Sequence, residues 1–213
     1  MKKLLSILMM ATAFTACVPA IMIAGGATGV LAIHDRRTTG VQADDEGIEW
    51  KALQRVPQKY AEASHTNYTA YNARVLITGE AANESVRQGI GDAVLGIAGV
   101  KEIFNEMVIG ENSSLVSRSN DSYITSKIKA KLVEVEGLSA NHVKVVTEAG
   151  IVYLMGLVTA NEAHLAIEAT RVISGVKKVV SLFEVLPDAQ IKAIDDSLKG
   201  EKNTTSTNIL EQQ

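Results

Sequence analysis

Few residues in this 213-residue chain are equipped for bond-making chemistry: one Cys and four His. His34, His65, His142 and His164 show no metal-ligand spacing of the HxxxH or HExxH kind. No serine lies in a GxSxG elbow, and Gly79, Gly89, Gly91 and Gly96 form neither a dinucleotide nor a P-loop fingerprint. One cysteine excludes an internal disulfide, a CxxC redox pair and a Cys-rich zinc site. The chain is therefore expected not to be an enzyme, and no metal site is expected. Two other constellations remain: Cys17, placed just after an apolar run, and a lysine-rich helix around Tyr123.

Lys2 and Lys3 form a positive start, Leu4–Phe14 a short apolar stretch, and Thr15-Ala16 a pair of small residues ahead of Cys17. That order fits a secretory signal peptide over residues 1–16. The Thr15-Ala16-Cys17 segment resembles a bacterial lipobox. The resemblance implies that the Cys17 thiol receives diacylglycerol, and that the new amino terminus is N-acylated once exposed. An uncleaved signal anchor is the alternative, because Leu4–Ile33 carries no charge and a spanning helix needs only about 20 apolar residues. Pro19, Gly25, Gly26 and Gly29 argue instead for a tether over residues 17–45. Residue 18 is Val where an inner-membrane retention signal would place Asp, which implies the outer membrane.

The tyrosine–lysine constellation is read from helical periodicity. Ile124, Ile128, Leu132 and Val135 fall on one stripe, the expected core face. Tyr123, Ala130 and Val133 fall on the far side, where a simple soluble domain would carry charges. Lys127 and Lys129 flank them, and Lys131 lies at the edge of the core stripe, where its stem can snorkel. An outward aromatic with aliphatic neighbours and three lysines suits a membrane interface, with the ring at headgroup level and ammonium groups on phosphates. Packing of Tyr123 under another domain is the competing reading. Trp50 is a possible second contact, but core or interdomain packing is the expectation for it.

These residues must be positioned by a repeated unit. Val75–Gly79 matches Val152–Gly156, Ala82-Asn83-Glu84 matches Ala160-Asn161-Glu162, and Gly99-Val100-Lys101 matches Gly175-Val176-Lys177, all at a nearly constant offset. Each copy reads as α-β-β-α-β. In the first, a helix is expected near Ile48–Val56, strands near Asn67–Tyr71 and Arg74–Gly79, a helix over Glu84–Ala98 weakened by glycines, and a strand over Val100–Ile109. In the second, Asn120-Asp121-Ser122 would cap a helix over Tyr123–Glu134. Strands Val143–Thr147 and Ile151–Val158, a helix capped by Thr159 or Asn161, and a strand Val176–Leu186 follow. The expected fold class is α+β: two tandem domains, each with two helices on one face of a three-stranded mixed sheet. The expected division is 46–110 and 119–187 for the domains, 111–118 for a linker, and 188–213 for a short helix carrying Ile191, Ile194 and Leu198 followed by a disordered tail.

This pattern resembles the BON domain, in its arrangement of two copies behind a lipobox. The stretches that carry it are Cys17-Val18, Gly40–Asp45, Asn120–Lys127, Asn141–Val145, Leu154–Thr159 and Ser174–Lys177. The resemblance implies a periplasm-facing outer-membrane lipoprotein that binds anionic phospholipid, of phosphatidylglycerol or cardiolipin type, and supports envelope integrity near division sites. A tethered adaptor that binds another envelope protein is the alternative. The family commonly has Trp at the place of Tyr123. The formal charge of −3 argues against a general nucleic-acid partner, which needs a basic field. No cofactor is expected apart from the lipid on Cys17.

Overall fold

The computed structural model describes residues 35–198. The signal segment, Cys17, most of the tether and residues 199–213 lie outside the described residues. No helix among the described residues is long and apolar enough to cross a membrane.

Thr38 opens the first helix, its hydroxyl accepting from Val41 N, and α1 (Thr39–Arg55) ends ahead of Pro57. A single turn, α2 (Gln58–Ala61), leads into the antiparallel pair β1 (Ser64–Tyr71) and β2 (Arg74–Ala81). Asn83 caps α3 (Glu84–Leu95), after which β3 (Glu102–Asn105) and β4 (Val108–Ile109) both run parallel to β2. The second copy repeats this. Ser114 caps α4 (Leu115–Val133); a 3-10 turn at Ala140–His142 precedes β5 (Lys144–Glu148), which pairs antiparallel with β6 (Ile151–Met155). Then come β7 (Leu157–Val158), α5 (Ala160–Arg171), β8 (Lys178–Ser181), parallel to β6, and β9 (Glu184–Val185), parallel to β7.

The α+β class with two helices on one face of each sheet is as expected, while several boundaries differ. Both leading helices begin earlier than the sequence suggested, at Thr39 and Leu115. The charged end of the proposed tether and the last residues of the proposed 111–118 linker are therefore helical or packed. Each last strand breaks in two, and the second strand of the second copy breaks at Gly156.

Asp121 explains the misread helix start. It sits inside α4, 5% exposed, and accepts from Ala149 N and Gly150 N at 2.9 Å each. Its repeat counterpart Asp45 does the same for Asn72 N and Ala73 N at 2.8 Å. Asn72, Ala73 and Ala149 all hold positive φ, a strained state for residues with a Cβ. In each copy a helix carboxylate thus holds the hairpin turn shut by satisfying its backbone donors.

Three apolar cores result. One lies between β1–β2 and α1/α3, around Ile48, Ala52, Val75, Ile77, Ile90 and Val94; another lies between β5–β6 and α4/α5, around Ile124, Ile128, Leu132, Val152 and Leu154. The third joins the opposite faces of the two sheets: Tyr71, Leu76 and Phe104 from the first copy with Tyr153, Met155, Leu157 and Leu182 from the second. A last helix over residues 188–198 contributes Ile191 to this core, so the terminal stripe packs back on the domains. The described residues accordingly make one compact unit.

Candidate functional site

The surface of α4 is the candidate. Its inner side buries Ile124, Ile128 and Leu132 beside Asp121. Its outer side is long and nearly without charge. Leu115, Val116, Tyr123 and Val133 are 74%, 79%, 62% and 74% exposed, and Ser119, Ser122, Ser126 and Ala130 lie exposed among them. Tyr123, Ala130 and Val133 thus share one exposed face, where the sequence placed them.

The lysines rim this face unequally. Lys127 Nζ stands 4.7 Å from the Tyr123 ring centroid and donates to the Ser174 carbonyl, so that cation is held in place beside the aromatic. Lys131 pairs with Glu134 at 3.0 Å, which offsets part of its charge. Lys129 lies exposed on the opposite edge, beside Val133, where a cleft of about 340 Å³ also takes in Asp35, Arg37, Tyr71 and Lys144. Trp50 departs from the expectation of packing. It is 64% exposed on α1, next to Leu53 at 62%, because the α1 core stripe is filled by Ile48, Ala52 and the buried Asp45.

Two polar clusters escaped the sequence reading. Arg36, assigned to the tether, is buried: its guanidinium forks onto Glu162 at 2.7 and 3.0 Å and onto Asp195 at 2.9 and 3.1 Å, and reaches the Leu157 carbonyl at 2.9 Å. Glu162 also completes a capping box with Thr159 at the start of α5, a pattern legible in the sequence although its long-range partner was not. His142 Nδ1 lies 3.4 Å from the same carboxylate. Elsewhere, Arg118 Nη1 meets His65 Nε2 at 2.8 Å, in a cleft of about 390 Å³ between the copies that is also lined by Asn67, Asp121 and Glu148. A guanidinium cannot accept, so His65 Nε2 is the acceptor and the ring proton sits on Nδ1, 3.4 Å from the buried Glu80 carboxylate. Burial pushes the Glu148 carboxyl up, with the charges of Glu80 and Asp121 adding to the effect.

The Arg36 cluster sets a pH dependence. Burial lowers the His142 imidazole below its ordinary 6.5, reinforced by the Arg36 charge. Burial alone would raise Glu162, but hydrogen bonds from Arg36 and Thr159 N outweigh it and hold the carboxyl below its usual range. Both groups contribute stability that is present above their unfolded values and lost as pH falls through the folded ones. Melting curves below pH 6.5 should therefore show stability falling with a slope of up to about 1.4 kcal/mol per pH unit from His142. A His142→Gln chain should be flatter between pH 6.5 and 5, and equal slopes would refute the assignment.

Among the described residues no group of three or more His, Cys, Asp or Glu side chains could hold a metal ion. The repeat, the α-β-β-α-β order and the outward helix face define a pair of BON domains, and the family profile for the BON domain matches residues 44–111 and 120–187. The chain belongs to the BON family. It is 38% identical to the outer membrane lipoprotein DolP of Haemophilus influenzae over 187 residues, covering 86% of this chain and 96% of that one. It is 36% identical to a 21 kDa hemolysin of Actinobacillus pleuropneumoniae over 151 residues, covering 70% and 78%. Its kinship is thus with outer-membrane envelope lipoproteins. Among solved structures, the C-terminal domain of CdsD, a structural protein of the type III secretion system of Chlamydia trachomatis, covers 68% of this chain and 98% of its own at a TM-score of 0.28 and 13% identity, too slight a likeness to bear on the fold.

Proposed function

We propose that this chain is a periplasm-facing outer-membrane lipoprotein, anchored by diacylglycerol and an N-acyl chain on Cys17. In this reading its second BON domain binds anionic phospholipid of phosphatidylglycerol or cardiolipin type, supporting envelope integrity near division sites. The observation that carries it is the exposed, uncharged face of α4 around Tyr123, rimmed by Lys127, Lys129 and Lys131. Each lysine near an anionic surface contributes about 1 kcal/mol, less at high salt. Partial insertion of Tyr123 and Val133 adds roughly 1–2 kcal/mol by area. Such weak contacts suffice once a tether keeps the domain at the bilayer, because the local concentration is high.

The test uses residues 33–213, which carry all three cores and lack Cys17. It should bind phosphatidylcholine vesicles only when they contain phosphatidylglycerol or cardiolipin, and more weakly as salt rises. Tyr123→Glu should weaken binding by about ten-fold with the melting temperature unchanged, since a charged group then replaces an inserting ring. Equal binding by the variant would remove the face from consideration. A second reading, a tethered adaptor for another envelope protein, is favoured by Trp50 and Leu53, an exposed apolar pair on α1 whose neighbours Glu46 and Lys51 carry mixed charge. A photoreactive group at position 50 that yields a discrete protein adduct in cells, with lipid-only adducts at position 123, would assign each face its partner.

A further inference from the structure

The amino-terminal turn of α4 falls outside both BON matches, since the second begins at residue 120 and the helix begins at Leu115. In that added turn stand Leu115 and Val116, among the most exposed large apolar side chains of the described residues. No core accounts for them. The first turn of the helix carries no acidic residue, and the guanidinium of nearby Arg118 is turned away onto His65.

Helical spacing places both residues on the outer face already described. Leu115 lines up with Ser119, Ser122, Ser126 and Val133, and Val116 with Ser119, Tyr123, Ala130 and Val133, at steps of three, four or seven residues. We propose that Leu115 and Val116 form an apolar insertion element that seats the start of α4 in the headgroup–acyl boundary of a lipid bilayer, so that the segment joining the two domains is itself a membrane contact. The inference rests on the proposed phospholipid reading of the same helix. The occupant is a bilayer because the face continues without interruption into the part rimmed by Lys127, Lys129 and Lys131, whose charge complements lipid phosphates. A helix of this length runs about 28 Å. With apolar residues at both ends of one face, it suits an orientation along the surface. The lysines supply the salt-sensitive part of the attraction and the added turn the salt-insensitive part.

The experiment compares Ile33–Gln213 with its Leu115→Ser/Val116→Ser variant on phosphatidylcholine vesicles containing phosphatidylglycerol. Both side chains are largely exposed, so the variant should keep its far-ultraviolet circular dichroism and melting temperature; the milder Val116→Thr serves as a second check. The expected result is a loss of about ten-fold or more in vesicle affinity, from the lost insertion of two aliphatic side chains, with the salt dependence retained. An environment-sensitive fluorophore at position 115 of the parent unit should shift to the blue on vesicle addition. If the parent binds and the double variant binds equally well, the insertion element is refuted while the lysine–tyrosine face stands. If the parent fails to bind any anionic vesicle, the phospholipid reading falls and this inference with it. A fluorophore at 115 that stays in water while the parent binds also overturns it, and would make the added turn a surface for a protein.

Discussion

Replacing Arg36 by Met should cost the compact unit about 3–5 kcal/mol, the range for removing one partner of a buried ion pair. The Arg36 side chain is 3% exposed and that of Glu162 11%. Without the guanidinium, Glu162 keeps a charge in a site that water barely reaches, and the Leu157 carbonyl loses a donor. Asp195, at 25%, sits nearer solvent and contributes less to the penalty. Denaturant unfolding of Ile33–Gln213 measures the effect through the midpoint at unchanged slope. The cost should not add to that of Glu162→Gln, because the two changes remove one shared contact. A shift below about 1 kcal/mol would mean that the guanidinium finds equivalent partners in water.

Gly79→Ala should be nearly as damaging, at about 3–4 kcal/mol. The added Cβ would stand 1.9 Å from the His65 carbonyl oxygen and 2.9 Å from its carbon, at a φ of +112°. The clash is with backbone in the β1–β2 ladder, so no rotamer relieves it; overpacking costs about 1–3 kcal/mol and the left-handed backbone a further 1–3 kcal/mol. Gly156 is the counterpart in the second copy, 2.2 Å from the His142 carbonyl oxygen, but its φ is not among the positive ones. Gly156→Ala should therefore be the milder change. Thermal unfolding of the two variants tests the ranking, and the reverse order would refute the role given to φ.

These glycines show what the sequence could and could not reveal. Their recurrence in the two copies exposed the repeat, with Gly79 at the expected end of a strand and Gly156 inside one. Their actual task is to let a neighbouring carbonyl approach, which only the paired backbone discloses. Ile124, Ile128 and Leu132 were legible as a core stripe because the helical period is local. The start of that helix was not, because Asp121 has the composition of a cap and spends its carboxylate on a turn far away in sequence. Arg36 was hidden for the same reason: its partners Glu162 and Asp195 are distant in the chain.

The third core did leave a signal. Val75-Leu76-Ile77 and Val152–Met155 are unbroken apolar runs, and strands that read so are buried on both faces. These runs specify sheet against sheet. The Tyr123 face was visible as a pattern, but its reach back to Leu115 was masked by the polar neighbours Asn112, Ser113 and Ser114, which look like a linker and in part serve as a cap.

The placement of Arg36 also has a mechanical meaning. It ties the entering chain to α5 and, through Asp195, to the closing helix, so both ends of the described fold meet at one side chain. A pull arriving along the residues ahead of it is shared at once between two helices of the second copy before it can peel α1 from the first. The sheets and the α4 face lie downstream of that grip. Tension on the leading segment would thus be absorbed without reshaping the surface that α4 presents.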